Sequence, residues 1–295
     1  MNISVVIPTF NRKNKLINTL DSIKKSSFLD GVEIIIVDDG SSDGTKELLK
    51  KYSKGNLKIK YYYQDNQGPA QARNKGVELS KADIILFCGD DTLFHENLLK
   101  EHYEAHMKHK EGAVLGLCLW DENVGVNEFM RYIAPYGPQF NYSGIKDKEN
   151  IGFKYFYTCN LSIGKKWFEF ERFDTSFPNA AFEDIDLGYI LEKKGLKIHY
   201  CKDAIVYHSH KYDAPSFYKR MEVVGKGAQI FINKHKNLKS EYMKSDKFPG
   251  SQYILKNIFN ILARSRVLKK ISLEKHWFFN IYYHKLKGVL LEKKN

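Results

Sequence analysis

The chain has 295 residues, 43% of them apolar, which is enough for one large domain, or one domain with an appendage, around a sizeable core. Its formal charge of +12 requires an anionic partner such as nucleotide phosphates, a membrane surface or nucleic acid, without choosing among them. The four cysteines lie far apart without a C-x-x-C pair, which argues against a disulfide or zinc framework and favours reduced core residues.

The beginning of the chain, MNISVVIP, enters a strand pattern directly, without a charged leader and a long apolar block. We therefore expect no signal peptide. No apolar run in the sequence reaches the length that spans a bilayer. Together these features predict a cytoplasmic protein.

Three strand–loop–helix units open the chain. Apolar runs predict strands over residues 3–7, 32–37 and 59–63. Helical spacing and start signals predict helices over residues 16–23, over residues 46–52, and from Pro69 through Arg73. This alternation implies a parallel sheet with right-handed crossovers, whose loops after the strands lie along one rim.

A fourth predicted strand, residues 84–88, is apolar throughout and stops at Gly89-Asp90-Asp91. In an open α/β sheet, ligands bind outside the carboxyl ends of the strands, so these two aspartates lie where a ligand would bind. Adjacent carboxylates repel each other at a half-buried site, and a divalent cation would remove that cost. A simple turn is the alternative, because Gly-Asp-Asp is also good turn chemistry.

The predicted rim collects side chains whose chemistry suits a nucleotide. A carboxylate such as Asp39 can accept the ring N–H of uracil, thymine or guanine, which adenine and cytosine lack. A metal on Asp91 and the charge of Arg73 would meet the phosphates. G-x-G-x-x-G is absent after the first strand and G-x-x-x-x-G-K-[ST] is absent throughout, which argues against a dinucleotide oxidoreductase and a P-loop NTPase. The rim residues are Thr9, Asn11, Asp39, Arg73, Asp90 and Asp91.

Four motifs, in this order and spacing, resemble the nucleotide-binding half of family 2 glycosyltransferases: VVIPTFNR, VDDGSSDGT, GPAQARNKG and FCGDDT. The resemblance implies an α/β GT-A fold, a Rossmann-like mixed sheet flanked by helices, here followed by a helical C-terminal extension. It implies that the nucleotide is bound by Pro8, Thr9, Asn11, Asp39, Arg73 and Asp90. It further implies that Asp91 holds the Mn²⁺ or Mg²⁺ that bridges the diphosphate. The family motif is usually D-x-D, and Gly89 at its first position leaves the role of Asp90 less defined.

The middle of the chain is less regular. Residues 93–110 predict a helix with four histidines, for which we favour a solvated face over a metal site. Residues 114–120 predict a strand. The segment 121–152 mixes glycine, proline and aromatic residues, and it predicts an acceptor loop or lid, or a plain surface connection.

A second acidic cluster follows a predicted strand over residues 155–163 and opens a predicted helix with Glu183, Asp184 and Asp186. Acidic residues in a first helical turn are favoured by the helix dipole, but three in four residues exceed that need. FDTSFPNAAFEDIDLGYIL resembles the ED motif of the family. The resemblance implies that Asp184 is the catalytic base and Glu183 supports it, with Asp186 and Asn160 on the acceptor side.

Two short strands, residues 196–199 and 204–207, are predicted before the sequence Tyr207-His208-Ser209-His210. A histidine at a strand end near a diphosphate can complete the metal site, and many relatives carry one there. Strand alternation puts His208 and His210 on one face. We favour His208, keep His210 as the second choice, and retain an ordinary surface pair as the alternative.

The C-terminal part is helical and basic, with ten Lys or Arg against two Glu in residues 253–295, among aliphatic and aromatic residues that include Ile254. This pattern suits a helix on an anionic membrane surface and equally a subdomain packed on the core. Nucleic-acid binding is disfavoured because no recognised module accompanies the charge. We expect a catalytic domain over residues 1–215, with halves 1–92 and 93–215, and an extension over 216–295.

These observations predict a metal-assisted inverting glycosyltransferase of hexosyl or N-acetylhexosaminyl type that takes its sugar from a nucleoside-diphosphate donor, with UDP-sugar favoured. Its acceptor would be a glycan or lipid-linked hydroxyl in cell-envelope polysaccharide synthesis, at the inner face of the membrane. The alternatives are a non-catalytic nucleotide-sugar or glycan-binding protein, and a peripheral membrane protein whose main activity lies in its tail. The enzyme prediction requires the carboxylates near positions 90 and 184 to converge on one cleft.

Overall fold

The computed structural model describes residues 2–52, 57–238 and 251–292. It divides the chain into two compact units. The first comprises Met1–Val126 and Ile133–Lys211, and the second comprises Asn127–Tyr132 and Tyr212–Asn295.

Strands and helices alternate through most of the described chain. The strands are β1 (Ile3–Thr9), β2 (Val32–Asp38), β3 (Ile59–Tyr63), β4 (Ile84–Cys88), β5 (Thr92–Phe94), β6 (Ala113–Trp120), β7 (Asn160–Gly164) and β8 (Ile198–His208). The helices are α1 (Lys13–Ile23), α2 (Thr45–Tyr52), α3 (Pro69–Leu79), α4 (Leu98–Lys108), α5 (Glu128–Ile133), α6 (Glu183–Lys193), α7 (Ala214–Lys234), α8 (Ser251–Arg264), α9 (Arg266–Ile271) and α10 (Leu273–Glu292). Short 3₁₀ turns connect several of them.

The first unit is built on one mixed sheet with the strand order β3-β2-β1-β4-β7-β6-β8-β5. Its first four strands in that order run parallel, as the strand–helix alternation predicts. β2 and β4 are buried along their whole length, which is typical of parallel strands covered on both faces. Because Thr9 pairs with Asp38, the loops after β1 and β2 leave the sheet at the same edge.

The other half of the sheet changes direction. β7 runs antiparallel to both β4 and β6, whereas β6 and β8 run parallel with an irregularity between Gly116 and Leu117. The hydroxyl of Tyr142 fills this irregularity, because it accepts from Cys118 N and donates to Gly116 O. The predicted mixed α/β sheet flanked by helices is therefore confirmed.

The prediction of one helix over residues 93–110 is wrong at its beginning. Thr92–Phe94 form β5, in which Thr92 pairs with His208 of β8, and α4 begins only at Leu98. Helical spacing does not reveal a partner strand that lies far along the chain. Because residues 92–94 form a strand, the helix starts later than predicted.

Two further strand predictions need correction. The strand predicted over residues 155–163 is confined to Asn160–Gly164, because the residues before it bond locally, with Tyr157 N donating to Tyr155 O. The two strands predicted over 196–199 and 204–207 form one strand, β8. Between them the pairing with β6 shifts from Cys201 to Ile205, so the intervening residues loop out without ending the strand.

The solvated histidine face predicted for α4 is also wrong. His102 and His106 are buried. Ser162 Oγ lies 2.7 Å from His102 Nδ1 and 2.8 Å from His106 Nε2, and Asn160 Oδ1 lies 2.8 Å from His102 Nε2. These histidines face the sheet because polar partners on β7 satisfy their ring nitrogens, which a helical pattern alone does not show.

The second unit is helical. α7 and α10 approach closely at two glycines, where a Cβ on Gly225 would lie 2.1 Å from Lys285 O and one on Gly288 would lie 2.0 Å from Glu222 O. Only glycine permits this backbone contact. The Glu222 carboxylate lies 2.6 Å from His284 Nδ1 and 2.8 Å from Lys287 Nζ, which adds polar links between the same two helices.

The described helices include none that is long and apolar enough to cross a membrane. Part of the basic C-terminal stretch, the side chain of Ile254 and residues 293–295, lies outside the described residues.

Candidate active site

The end of β1 and the helix α1 hold the first of the two adjacent aspartates. Thr9 Oγ1 donates to Asp90 Oδ2 at 2.8 Å. From α1, Thr19 Oγ1 donates to the carbonyl oxygen of Asp90 at 2.9 Å. All three residues are buried. Both the side chain and the backbone of Asp90 are therefore held just beyond the end of β4.

Positive charge reaches both aspartates from the start of α1. Arg12 Nη1 lies 3.1 Å from Asp90 Oδ1 and 3.1 Å from Asp91 Oδ2. Lys15 Nζ lies 4.0 Å from Asp91 Oδ2 and 2.9 Å from His210 Nδ1. Neither Arg12 nor Lys15 was among the predicted site residues, although Arg12 ends the VVIPTFNR motif and Lys15 follows it by three positions.

The two aspartates differ in their pKa values although they are neighbours. Burial and the adjacent charge of Asp91 raise the pKa of Asp90 to about 6. Burial also acts to raise the pKa of Asp91, but the charges of His208, Arg12 and Lys15 outweigh it and hold that pKa below its usual range. Asp91 is therefore the stronger anion of the two and the better ligand for a cation.

The donor set around Asp91 fits a divalent cation. His208 Nε2 lies 3.4 Å from Asp91 Oδ1, close to the spacing of about 3–3.5 Å between neighbouring ligands on an ion with bonds of about 2.0–2.2 Å. His210 Nδ1 lies 3.8 Å from Asp91 Oδ2. Because Lys15 Nζ already lies 2.9 Å from His210 Nδ1, the arrangement favours His208 as the second ligand.

The presence of glycine at position 89 is explained by its closeness to the Asp91 carboxylate. A Cβ on Gly89 would lie 2.9 Å from Asp91 Oδ1. Such a contact is tighter than real Cβ atoms show, so a side chain at this position would displace the Asp91 carboxylate. The departure from D-x-D thus preserves the orientation of the remaining aspartate.

Asp39 lies buried in a small cage formed after β2 and β3. Its Oδ1 accepts from Gln64 Nε2 at 2.8 Å and from Gln67 N at 2.9 Å, and its Oδ2 accepts from Gly68 N at 2.9 Å. A carboxylate offers about four acceptor sites, so one remains for a ring N–H of a bound base. The cage fixes the orientation of the Asp39 carboxylate.

Asn11 connects the loops after β1 and β2. Its Oδ1 accepts from Ser42 N at 2.8 Å, and its N–H donates to Ser41 Oγ at 2.8 Å. Its φ of 53° lies in the left-handed region, where asparagine is enriched. Pro8 pairs with Val37 within the sheet. Both residues shape the rim on which a nucleotide would lie.

The second acidic cluster opens α6, as predicted. Glu183 is buried, and its Oε1 lies 2.8 Å from Arg73 Nη1, so Arg73 joins α3 to the start of α6. Asp186 is fully buried. Asp184 is only half-buried, and its carboxylate accepts from Ile185 N at 2.8 Å and from Thr158 N at 3.4 Å. Of the three carboxylates, Asp184 is the one that a substrate can reach.

The two acidic clusters lie at the same end of the sheet. Cys88 of β4 pairs with Asn160 of antiparallel β7. Two residues beyond that pair, in the same direction, lie Asp90 on one segment and Thr158 on the other. Thr158 N in turn donates to Asp184. Asp90 and Asp184 therefore both lie beyond the same end of the sheet, next to a pair of adjacent strand ends.

Asn160 lies in the core at the start of β7. Its Nδ2 donates to Ala204 O at 2.9 Å and to Leu117 O at 3.2 Å, and its Oδ1 lies 2.8 Å from His102 Nε2. The Asn160 side chain therefore links β7 to β6, β8 and α4. This placement does not favour the predicted contact with an acceptor, and the same holds for buried Asp186.

The sequence matches the family model described as "Glycosyl transferase family 2" over residues 4–170. An uncharacterized glycosyltransferase of Bacillus subtilis, YfnE, is 23% identical over 285 residues, which cover 81% of this chain and 72% of that protein. Validoxylamine A glucosyltransferase of Streptomyces hygroscopicus is 27% identical over 220 residues, covering 66% of this chain. The match spans about half of that relative, 52% of its length.

Solved structures agree with this chain at the level of the fold. The mannosyltransferase PcManGT of Pyrobaculum calidifontis, in complex with GDP-Man and Mn²⁺, has a TM-score of 0.72 at 13% identity, covering 99% of this chain and 87% of that one. Staphylococcus aureus TarS 1–349 in complex with UDP has a TM-score of 0.57 at 17% identity, covering 99% and 92%. The GT-A fold predicted from the motifs is confirmed.

Proposed function

Because the chain belongs to glycosyl transferase family 2, we propose that it transfers a sugar from a nucleoside-diphosphate donor to an acceptor hydroxyl, with inversion at the anomeric carbon. One observation carries the proposal. Asp91 and Asp184, far apart in sequence, both lie beyond the same end of the sheet, where β4 pairs with β7 and Thr158 N donates to Asp184. A cation and a base on one cleft are what the reaction needs.

The donor side is the rim formed after β1, β2 and β4. Asp39 would accept the ring N–H of uracil or guanine with its remaining acceptor site, and we favour UDP-sugar. The ligands of the two similar structures, UDP in TarS and GDP-Man in PcManGT, are compatible with either base. Asp91 and His208 would hold Mn²⁺ or Mg²⁺, which supplies charge for the departing diphosphate.

The acceptor side is the start of α6. An attacking hydroxyl must lose its proton as it bonds to the anomeric carbon, and the half-buried Asp184 carboxylate can take that proton. Arg73 and Glu183 hold the first turn of α6 in place through their buried ion pair. Thr158 N, bonded to Asp184, helps to orient the carboxylate toward the acceptor.

The transferred sugar we propose is a hexose or an N-acetylhexosamine, and the acceptor is a glycan or lipid-linked hydroxyl in cell-envelope polysaccharide synthesis. The proposed place is the cytoplasmic side of the membrane. Exposed apolar and basic residues of α8 and α9, among them Ile261, Val267 and Arg266, support an anionic membrane surface as a partner.

Two substitutions test the proposed chemistry. Asp184→Asn should bind UDP as the unchanged protein does but lower sugar transfer by about 10²–10⁴-fold, because it lacks only the base. Asp91→Asn should lower the Mn²⁺-dependent gain in UDP affinity. The measurements are UDP titrations with and without Mn²⁺ and turnover across a panel of UDP- and GDP-sugars. Asp203→Asn, an exposed carboxylate of β8, is the control.

The outcomes separate the alternatives. Normal turnover by Asp184→Asn would remove Asp184 as the base. Tight nucleotide binding with no turnover across the donor panel would instead favour a non-catalytic binding protein. Equal binding of ADP, CDP, UDP and GDP would contradict base recognition by Asp39.

A further inference from the structure

Two histidines and a glutamate meet on the first unit, away from the residues assigned to the nucleotide and the base. They are His109, just after α4, Glu149, in the segment between β6 and β7, and His199 of β8. One ligand atom from each lies within 4.8 Å of the other two. In the part of the chain that the structure describes, this is the one such cluster of metal-ligating side chains.

The spacing of the three ligand atoms is compatible with a metal site. Glu149 Oε2 lies 3.4 Å from His199 Nδ1 and 3.6 Å from His109 Nδ1. These distances are long for hydrogen bonds, but they equal the edge of about 3.3–3.6 Å of a tetrahedron with metal bonds of about 2.0–2.2 Å. The imidazoles stack with their centroids 3.8 Å apart and their planes at 18°, so one ring must turn about its Cβ–Cγ bond before both nitrogens point at one ion.

The hydrogen bonding of His199 Nδ1 is also compatible with a metal ligand. His199 Nδ1 is buried and completes no hydrogen bond among the described residues. Lys108 Nζ lies 3.5 Å from the other oxygen of Glu149, Oε1, and so leaves Oε2 facing the two rings.

Backbone hydrogen bonds fix the positions of Glu149 and His199 relative to each other. The segment around Glu149 pairs with β8, because Tyr200 N donates to Lys148 O and Ile151 N donates to Ile198 O, both at 2.9 Å. Gly112 allows the His199 ring to approach, since a Cβ at that glycine would lie 2.5 Å from the ring. Metal binding would therefore need a turn of one imidazole and of the exposed Glu149 side chain, with the backbone around Glu149 and His199 unchanged.

We propose that His109, Glu149 and His199 form a second metal site that binds Zn²⁺ or a similar first-row transition ion, with water as the fourth ligand. Two imidazoles and one carboxylate suit zinc and its neighbours rather than Mg²⁺ or Ca²⁺, which prefer all-oxygen sites. The ion would join three chain segments: the end of α4, the 148–151 segment and β8. This site is independent of the proposed cation on Asp91.

The test uses the full chain without a histidine tag, stripped with chelator and titrated with Zn²⁺ and Co²⁺. In Asp91→Asn, which lacks the proposed cation ligand of the nucleotide site, we expect one equivalent of Zn²⁺ per chain, a rise of several degrees in melting temperature, and the visible absorption of four-coordinate Co²⁺. His199→Asn should lower the Zn²⁺ affinity at least 100-fold, and Glu149→Gln about 10-fold or more. Asp91→Asn should leave Zn²⁺ binding at this site unchanged.

Glu149→Gln is the decisive variant, because its side chain is exposed and the change should not disturb folding. The matched control is Glu111→Gln, an exposed glutamate near the end of α4 that lies outside the cluster. Absence of the Co²⁺ absorption in the unchanged protein would overturn the proposal. So would equal Zn²⁺ affinity in the unchanged protein, Glu149→Gln and His199→Asn, because the ion would then be bound elsewhere.

Discussion

At the scale of single residues, Arg12 lies beside the two adjacent aspartates of the proposed nucleotide site. Its guanidinium touches both adjacent aspartates, and it lowers the pKa of Asp90 that burial and Asp91 raise. The same charge opposes a divalent cation on Asp91 and attracts a diphosphate. Arg12 is therefore expected to weaken the binding of the cation and to strengthen the binding of the diphosphate at the proposed site.

Replacing Arg12 should separate these two effects. Arg12→Met should raise Mn²⁺ affinity several-fold in the absence of nucleotide, because a positive charge 3.1 Å from Asp91 is removed. It should lower UDP affinity about 10-fold or more, because a cation facing the diphosphate is lost. Calorimetric titration of each ligand measures the effect, with Lys24→Met, an exposed lysine on the same segment, as control. A parallel change in both affinities would contradict this role.

The buried histidines make stability depend on pH. Burial lowers the pKa of His102 to about 4, with the hydrogen bond between His102 Nε2 and the accepting Asn160 Oδ1 opposing the shift. The folded state then keeps His102 neutral, whereas the unfolded chain takes up a proton below about pH 6.5. The free energy of unfolding is therefore unaffected by His102 above pH 6.5. It falls as the pH drops from 6.5 toward about 4, because only the unfolded chain gains a proton at His102 in that range.

The expected loss for His102 at pH 5 is about 2 kcal/mol. His102→Gln should remove that part of the pH dependence, since glutamine does not titrate. The measurement is urea unfolding of both proteins at pH 7 and pH 5, taken as a difference so that other titrating groups cancel. The same drop in both proteins would show that His102 is not kept neutral by the fold.

At the scale of elements, the ion pair between Arg73 and Glu183 joins α3 to the start of α6. Both side chains are largely buried, with 11% and 2% of their surface exposed. Removing one partner leaves an uncompensated charge, so Arg73→Met should destabilise the protein by about 3–5 kcal/mol. The double variant Arg73→Met/Glu183→Leu should cost less than the sum of the two single changes.

A double-mutant cycle of urea unfolding measures this coupling. Lys75→Met is the control, because Lys75 pairs with Glu78 on the exposed face of the same helix and should cost at most about 1 kcal/mol. Additive effects of Arg73→Met and Glu183→Leu would mean that the pair does not hold the two helices together.

At the scale of the whole molecule, the second unit presents a surface of mixed character. Ile258, Ile261 and Val267 are exposed on α8 and α9, and Arg264 and Arg266 are exposed beside them in sequence. Each basic residue near an anionic surface contributes about 1 kcal/mol, and exposed apolar side chains can enter the interface. This surface therefore predicts binding to anionic membranes.

Sedimentation with vesicles tests this binding. The protein should bind phosphatidylglycerol vesicles, bind neutral phosphatidylcholine vesicles weakly, and dissociate as salt increases. Ile261→Asp/Val267→Asp should reduce binding about 10-fold or more. The control is Met107→Asp, an exposed apolar residue of α4 in the first unit. Equal binding of both variants would place any membrane contact elsewhere on the protein.

Local patterns were enough to predict the elements that frame the site. The apolar run of residues 84–88, followed by Gly89-Asp90-Asp91, identified a buried strand and the position of its carboxylates. The three acidic residues at the start of α6 were likewise visible as a cluster. Such features are short-range, because strand burial and helix starts depend mainly on neighbouring residues.

The sequence by itself determined the family, the strand–helix alternation and the acidic residues to consider. Only the tertiary structure decided how those residues are used: Arg12 against the paired aspartates, Arg73 on Glu183, and His102 inside the core. It also brought together the three side chains of the proposed zinc site. The physical reason is that burial and pairing depend on atoms supplied by distant parts of the chain, which no local periodicity encodes.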